Sequence, residues 1–232
     1  MPFRLTNALA TFQATIDHTI RHCLDKFAIY YLNDILIYSR ILEEHKEYIR
    51  QVLDALYEHK LLVNKDKSEF HIKKIVFLGY EISLGWVKIE PEKLEAVRTW
   101  STPTNATEVR GFIGFANFVR MFIKNFGDIA RPLYELTKKD AIFQWKQEHE
   151  RAFQQIRNAI TADPVLMLPN PNTPFEVEAN ASDFAIRGQL GQRDENDRLH
   201  PVTFFSKKLE GLRLNYPIYD KELLAIIEAF QE

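Results

Sequence analysis

A carboxylate and an amide side chain, those of Asp34 and Asn33, stand side by side between two strongly apolar segments of the chain. The segments "FAIYYL" and "ILIYS" are rich in aromatic and β-branched residues, and two turn-forming residues between such segments predict a β-hairpin. The pair then lies at the hairpin tip. Turn formation alone accounts for it, because Asn tolerates a positive φ and Asp hydrogen-bonds its own backbone. A functional carboxylate presented by the turn is the alternative, and the local pattern leaves both open.

Positive charge is concentrated in a second candidate segment, "KDKSEFHIKK", through Lys65, Lys67, Lys73 and Lys74. Lysines spaced in this way can bind the phosphates of a nucleic acid, although a basic run is more often a solvated face. The formal net charge of −2 gives no overall attraction to nucleic acid, so such binding needs local clusters of Lys and Arg.

Composition limits the class of protein. With 232 residues, 46% of them hydrophobic and 27% charged, the chain has the profile of a globular protein of one large or two small domains. Its apolar runs are far shorter than the ~20 residues that span a bilayer, and no secretory signal is recognisable. The single cysteine, Cys23, excludes an internal disulfide and argues against a thiolate zinc site. An intracellular location is compatible with this pattern, but the sequence does not identify it.

The first 90 residues are predicted to contain two helices, a hairpin and further strands. Apolar residues at spacings of three and four predict a helix over 6–24, capped by Thr6 or Asn7, and a second helix over 43–59. The hairpin over 27–39 lies between them. Strands are expected around four apolar residues of the next segment, with a bend at Gly79: Phe70, Ile72, Ile75 and Phe77. We expect this first unit to close near residue 90.

The remainder divides into a helical part and a strand-rich part. Between 91 and 169, helices alternate with Pro, Gly and Thr, and Thr104 or Asn105 with Glu108 predicts the start of a buried helix. The aromatic and basic residues of that helix are consistent with stacking on a nucleic acid, but an aromatic stripe at helical spacing is more often core. Three strand-like runs over 174–208 and a helix near the C-terminus follow. The predicted fold class is α+β.

Six motifs, in series, resemble the polymerase and ribonuclease H region of gypsy-type long-terminal-repeat retrotransposons. They are "MPFRLTNALATFQ", "YYLNDILIYS", "VFLGYEIS", "RGFIGFANFVRMFIKNF", "NASDFAI" and "NYPIYDKELLAI", and together they cover nearly the whole chain. The resemblance implies the C-terminal part of a reverse transcriptase palm over 1–90, thumb and connection helices over 91–170, and the N-terminal half of a ribonuclease H-like domain over 171–232.

The resemblance also implies roles at the hairpin. The family's tip resembles Tyr-X-Asp-Asp, so Asn33 stands where the first catalytic aspartate is expected, and Asp34 is the expected metal ligand. Two Mg²⁺ ions held by carboxylates drive nucleotidyl transfer. The family's other metal-binding aspartate lies upstream of "MPF", so we expect this chain to lack it. Nucleic-acid contacts are implied at Tyr31, Gln13 and a primer-grip turn formed by Phe77, Leu78 and Gly79.

In the ribonuclease H-like part, the resemblance implies two metal-binding positions. Asn180 stands where the family has a catalytic aspartate, and Glu222 matches the metal-binding glutamate of the following helix, which would otherwise be interpreted as a solvated helix face. Arg4 and Arg187 replace expected glycines, and Leu9 replaces a proline. With Asn33 and Asn180, these make five departures, each of which can arise by a C·G to T·A transition, so we hypothesise decay of a once-active element.

Three functional hypotheses follow. The leading one is a retrotransposon-derived polymerase and ribonuclease H fragment that has lost activity through Asn33, Asn180 and truncation. The second is a retained nucleic-acid-binding module that uses its lysines without catalysis. The third is an active polymerase with its missing part supplied in trans. Expected partners are a template–primer or an RNA–DNA hybrid, with Mg²⁺ as the family's cofactor and no membrane; the oligomeric state is left undetermined.

Overall fold

The computed structural model describes residues 7–231 and contains two compact units, Met1–Lys73 and Lys74–Glu232. Both units mix helices and strands, which confirms the predicted α+β class. No helix of the described residues has the length and apolar character needed to cross a membrane.

In the first unit, a hairpin packs with two helices. Its elements are α1 (Ala8–Ile20), β1 (Ala28–Tyr31), β2 (Asp34–Ile37), α2 (Leu42–Glu58) and a 3₁₀ turn (Lys65–Lys67). The apolar stripe of α1 supplies Ile16 and Ile20 to a core that also contains the chain's only cysteine, Cys23, and the side chain of Phe27. Phe27 stacks on Tyr48 of α2 with ring centroids 4.0 Å apart. Burial of this stripe therefore fixes the hairpin against both helices.

The first part of the second unit combines a four-stranded antiparallel sheet with four helices. Its elements, in chain order, are β3 (Lys74–Phe77), β4 (Tyr80–Ser83), β5 (Trp86–Ile89), α3 (Pro91–Arg98), α4 (Ala106–Phe118), α5 (Phe126–Leu136), α6 (Gln147–Thr161) and β6 (Val165–Met167). The sheet order is β3-β4-β5-β6, so β6 returns to pair with β5 after the helices. Phe112 and Phe153 are fully buried in the centre of the shared core, with ring centroids 4.6 Å apart.

The last part is a three-stranded antiparallel sheet with helices on both faces. Its strands are β7 (Glu176–Ala181), β8 (Ala185–Arg193) and β9 (Leu199–Lys208), followed by α7 (Ile218–Ala229). Ala181 and Ile186 pack with Ala225 of α7 in one small core. Because side chains alternate between the faces of a strand, Asn180 and Arg187 lie on the opposite face, toward α5.

Most predicted elements are present. The 27–39 hairpin, both helices of the first unit, the helical middle, the 174–208 meander and the last helix are confirmed. Asn105 caps α4 by accepting a hydrogen bond from the Glu108 N–H at 3.0 Å, as the sequence indicates. Of the predicted caps of α1, Asn7 is the N-cap residue but makes no side-chain capping bond, and Thr6 lies outside the described residues, as does Arg4.

Three details of the prediction were wrong. Phe70 and Ile72 are not in a strand, because β3 begins only at Lys74. By its spacing Leu9 belongs to the apolar stripe predicted for α1, yet it is 44% exposed. The hairpin is predicted at the edge of a small antiparallel palm sheet, but within the described residues it forms a separate two-stranded sheet. The first compact unit ends at Lys73, because β3–β5 join β6 and the helical core. The palm, thumb and ribonuclease H boundaries at 90 and 170 stay a prediction.

Candidate functional site

The hairpin tip differs from the predicted turn by one residue. Tyr31 pairs with Asp34 across the two strands, so Leu32 and Asn33 form the two-residue turn and Asp34 is the first residue of β2. The prediction of an Asn33–Asp34 turn is therefore corrected. Leu32, not Asn33, has the positive φ, at +52°. A leucine in this left-handed region costs roughly 1–3 kcal/mol, which the surrounding packing must offset.

Contacts with α1 hold the hairpin in place. The Tyr30 hydroxyl donates a hydrogen bond to the backbone carbonyl of Gln13 at 3.3 Å, and Ile35 and Ile37 pack against the core of the first unit. Tyr31 points away from that core and is 51% exposed. The fold thus presents Tyr31, Asn33 and Asp34 at one exposed tip and places Gln13 in the helix beneath it.

The charge at this tip is a single carboxylate. Asn33 and Asp34 are both exposed, and within residues 7–231 the Asp34 carboxylate has no hydrogen-bond or ion-pair partner. The described residues contain no group of three His, Cys, Asp or Glu that could hold a metal ion. Mg²⁺ binds through hard oxygen ligands and loses water reluctantly, so one carboxylate with a neutral amide does not make a two-metal site. The tip residues do not fit the family's Mg²⁺ pair.

A second turn, at Leu78 and Gly79, joins β3 to β4. Both residues have positive φ, at +52° and +80°, and Phe77 pairs with Tyr80 across the turn. The Tyr80 hydroxyl donates to the Phe118 carbonyl at 2.8 Å, and the two rings stack 5.0 Å apart. Burial raises the pKa of the Tyr80 phenol above its ordinary value. The predicted primer-grip turn is therefore braced on α4, with Phe77 buried and Leu78 exposed.

The four predicted phosphate-binding lysines fall in different settings. Lys65 and Lys67 are exposed on the 3₁₀ turn of the first unit, and Lys73 is exposed at that unit's last residue. Lys74 begins β3 in the second unit, and its ammonium pairs with the Glu81 carboxylate at 2.7 Å. A lysine that already has a carboxylate partner is a poorer phosphate ligand, so Lys74 is the weakest of the four candidates.

In the last sheet, Asn180 faces a cation rather than other carboxylates. Asn180 of β7 pairs in register with Arg187 of β8, so the two side chains are neighbours on the face toward α5. The Arg187 guanidinium donates to the Asp128 carboxylate at 2.6 Å, and the Ser182 hydroxyl donates to the other oxygen of Asp128 at 2.8 Å. This junction ties α5 to the sheet.

Glu222 lies on α7, which packs on the other face of that sheet. Its carboxylate is exposed and has no partner within the described part of the chain. The neighbouring Lys221 is buried, and its ammonium donates to the Asp183 carbonyl at 3.2 Å. Asn180 lies on the face toward α5, whereas Glu222 lies on the helix that covers the opposite face.

A cavity of about 350 Å³ opens on the Asn180 face. Its lining comes from β7, β8, β9 and the loop before α5: Lys124, Asn125, Glu178, Ala179, Asn180, Arg187, Gly188, Gln189 and Phe204. Asp128 and Ser182 were not predicted as site residues, and Lys124 was considered only among the basic residues near α4 that could bind a nucleic acid backbone. Residues 59 apart in sequence, as Asp128 and Arg187 are, carry no local signal of their pairing. The unexpected arginine at 187 was the one visible clue.

Comparison with known proteins places these features in a family. Residues 1–82 match the family model of the reverse transcriptase (RNA-dependent DNA polymerase), and residues 145–232 match that of the RNase H-like domain found in reverse transcriptase. The Tf2-3 transposon polyprotein of Schizosaccharomyces pombe is 33% identical over the whole chain. The retrovirus-related Pol polyprotein from transposon 297 of Drosophila melanogaster is 37% identical over 99% of it. The chain spans only 17% and 21% of these two relatives.

Solved structures show the same fold. The foamy viral protease-reverse transcriptase in complex with an RNA/DNA hybrid superposes on 100% of this chain and 31% of its own, with a TM-score of 0.80 and 24% identity. The same enzyme in complex with double-stranded DNA gives a TM-score of 0.81 at 23% identity, over 100% of this chain and 48% of its own. Taken with the two family models and the full-length similarity to transposon polyproteins, this shows that the chain belongs to the reverse transcriptase and RNase H-like region of retrotransposon Pol polyproteins.

Proposed function

We propose that this chain is a reverse transcriptase and RNase H-like region that has lost catalysis at both of its metal centres. The observation that carries the proposal is the hairpin tip, where Asn33 stands beside Asp34 and leaves one exposed carboxylate. The family's expected activities are RNA-directed DNA polymerisation and cleavage of RNA in an RNA–DNA hybrid. Neither is assigned to this chain.

Asn33 has nearly the same side-chain shape as the expected aspartate, but it carries no negative charge. The amide oxygen of Asn33 remains a ligand atom, but it is neutral, and a hard divalent ion depends on anionic ligands to give up its water. Loss of one such interaction in a transition state lowers rates on the order of a thousandfold. The hydrogen bond between Tyr30 and Gln13 holds in place the hairpin that carries Leu32 and Asn33. The missing charge at Asn33 therefore explains the loss of catalysis without a rearrangement of the turn.

The RNase H-like centre carries a second, independent obstacle. Asn180 again replaces the expected aspartate, and its cross-strand neighbour Arg187 puts a guanidinium, paired with the Asp128 carboxylate, where a metal ion would need free carboxylates. Residues 7–231 contain no group of three His, Cys, Asp or Glu that could hold a metal ion. Inactivity at this centre therefore follows from charge as well as from the lost ligand.

Primer extension with Mg²⁺ tests the proposal at the hairpin. The chain is compared with a chimera that places the upstream reverse transcriptase region of the transposon 297 polyprotein before it and also carries Arg4→Gly. We expect no extension by the chain and extension by the chimera only with Asn33→Asp. Asn158→Asp, which adds the same charge at an exposed position of α6, is the matched control. If the chimera that retains Asn33 extends within about tenfold of the Asn33→Asp chimera, a gap of ~1.4 kcal/mol, Asn33 is a working ligand and the proposal fails.

A second candidate function is nucleic-acid binding without catalysis. The observation that favours it is the exposure of Lys65, Lys67 and Lys73, whose ammonium groups have no partner within residues 7–231. Contacts of lysine with phosphates predict weak binding that is indifferent to sequence and falls steeply with salt.

Affinity for a primer–template duplex across a salt series tests this candidate. Replacing all four predicted lysines, Lys65, Lys67, Lys73 and Lys74, by alanine should flatten the salt dependence. A control that removes the same charge at four other exposed lysines should leave the slope nearly unchanged: Lys26, Lys46, Lys60 and Lys139. Equal losses in the two variants, or no binding at low salt, would remove the binding-module interpretation.

A further inference from the structure

The cavity on the Asn180 face is lined mainly by hydrogen-bond donors. Lys124 contributes an ammonium, Arg187 a guanidinium, and Asn180 and Gln189 contribute amide N–H groups. Within the described residues the Lys124 ammonium has no hydrogen-bond or ion-pair partner. Arg187 has five N–H donors, and its bond to Asp128 occupies one terminal nitrogen. The cavity is therefore equipped to receive an anion with several acceptor oxygens.

One cation of the lining has no carboxylate partner. Lys124 and Arg187 bring two positive charges, and Glu178 brings one negative charge at an exposed position of β7. Asp128, outside the lining, pairs with Arg187 at 2.6 Å and so limits the orientations of its guanidinium, which leaves the Lys124 ammonium as the unpaired positive charge among the described residues of the lining. An oriented guanidinium loses less freedom on binding than a mobile one, which strengthens recognition of phosphate.

The position of the donors restricts the ligand. Asn180 and Arg187 form one cross-strand row of the sheet, and Gln189 pairs with Phe204 in the next row. Lys124 approaches from the separate loop before α5. Donors that converge from two strands and a loop match a tetrahedral phosphate, with its three or four acceptor oxygens, better than a planar carboxylate with two.

We propose that this cavity binds a phosphate group directly on Lys124 and Arg187, without a divalent metal ion. The inference rests on the proposed loss of the metal centre at Asn180, and it adds that the site has changed from binding cations to binding anions. The phosphate is either a free phosphate ion or a phosphodiester of a nucleic acid, since both present the same oxygens.

Calorimetric titration of the full chain with inorganic phosphate, in EDTA, tests the proposal. We expect saturable binding of phosphate at one site, with the same affinity whether or not EDTA is present, and no binding of acetate under the same conditions. Lys124→Ala should weaken binding at least tenfold. Asn180→Asp should weaken it by a similar factor, because the new carboxylate lies beside Arg187, competes for its N–H donors and repels the phosphate. Lys139→Ala, at an exposed lysine without a partner, is the matched control and should bind as the unmodified chain does.

Arg187 needs two variants because it also holds Asp128. Arg187→Gln should abolish binding, while Arg187→Lys keeps the charge and should retain part of it; melting curves identify any variant that unfolds. Displacement of phosphate by an RNA–DNA hybrid would identify the ligand as a nucleic-acid phosphodiester, and failure to displace it would identify a free phosphate. Both support the site.

Three results would overturn the proposal: no phosphate binding, binding that requires Mg²⁺, or equal affinity in Lys124→Ala and the unmodified chain. A separate assay tests the proposed function. Mg²⁺-dependent cleavage of RNA by this chain would contradict the proposed inactivity, whether or not phosphate binds in EDTA.

Discussion

Removal of the Asp128 carboxylate should loosen the attachment of α5 to the last sheet. Asp128 accepts one charge-assisted hydrogen bond from Arg187 and one from the Ser182 hydroxyl. The two side chains of the ion pair are mostly buried, at 31% and 27% exposure, so solvent screens the pair only in part. We assign ~2 kcal/mol to the charged bond and ~1 kcal/mol to the neutral one. Asp128→Ala should therefore lower the free energy of unfolding by about 3 kcal/mol.

A double-mutant cycle isolates the ion pair from other effects of Asp128. Asp128→Asn keeps an acceptor for Ser182 but removes the charge, which also interacts with the first turn of α5. Combining it with Arg187→Gln should give a coupling free energy of about 1–2 kcal/mol. Urea unfolding followed by tryptophan fluorescence measures it, because the chain's three tryptophans, Trp86, Trp100 and Trp145, all lie in the second unit.

The control for this cycle is Asp140→Asn, at an exposed aspartate of the same unit. It should not couple to Arg187→Gln. A coupling below about 0.5 kcal/mol between Asp128 and Arg187, the level at which unrelated sites are additive, would refute the junction as a stabilising contact.

Three further predictions concern local features. Asn105→Ala removes the cap of α4 and should cost ~1 kcal/mol in urea unfolding. Gly79→Ala should cost roughly 1–2 kcal/mol, because φ is +80° and the new Cβ would lie 2.4 Å from Cε of Lys93; a variant as stable as the parent would show that the turn relaxes freely. Lys207, through a hydrogen bond, lowers the pKa of Glu228 below its usual value of 4.5, against the raising effect of burial. That stabilisation is present above pH 4.5 and is lost as the pH falls through the lower folded-state pKa, so acid melting of Glu228→Gln should show less loss of stability than the parent in that range.

The elements with strong local patterns were predictable from the sequence. Alternation around the hairpin and the Asn105–Glu108 pair each encode their structure within a few residues, and both are present. The turn register was not predictable, because Asn33 and Asp34 have the better turn chemistry, yet the strand pairing places Leu32 in the left-handed region. Tertiary packing overrode local preference there.

The candidate sites were predictable only where the resemblance supplied a motif. The local pattern drew attention to Asn33 and Asp34, but the resemblance supplied the roles of these two residues and of Asn180 and Glu222, and those roles stay a prediction. The Asp128 junction and the donor-lined cavity depend on β8 meeting α5, which no periodicity reveals. Local sequence patterns therefore predicted the strands, whereas the ion pair of Asp128 with Arg187 and the lining of the cavity became visible only in the folded structure.

The buried thiol of Cys23 can serve as a chemical probe of local opening in the first unit. The side chain is 0% exposed, and burial raises the pKa of its thiol, so a thiol reagent should modify it only when the surrounding core opens. Because the chain has no other cysteine, the modification rate divided by that of an unfolded peptide measures the opening equilibrium of residues 1–73 alone. Modification of this thiol therefore reports transient unfolding of the unit that presents Asp34, and the second unit contributes no signal.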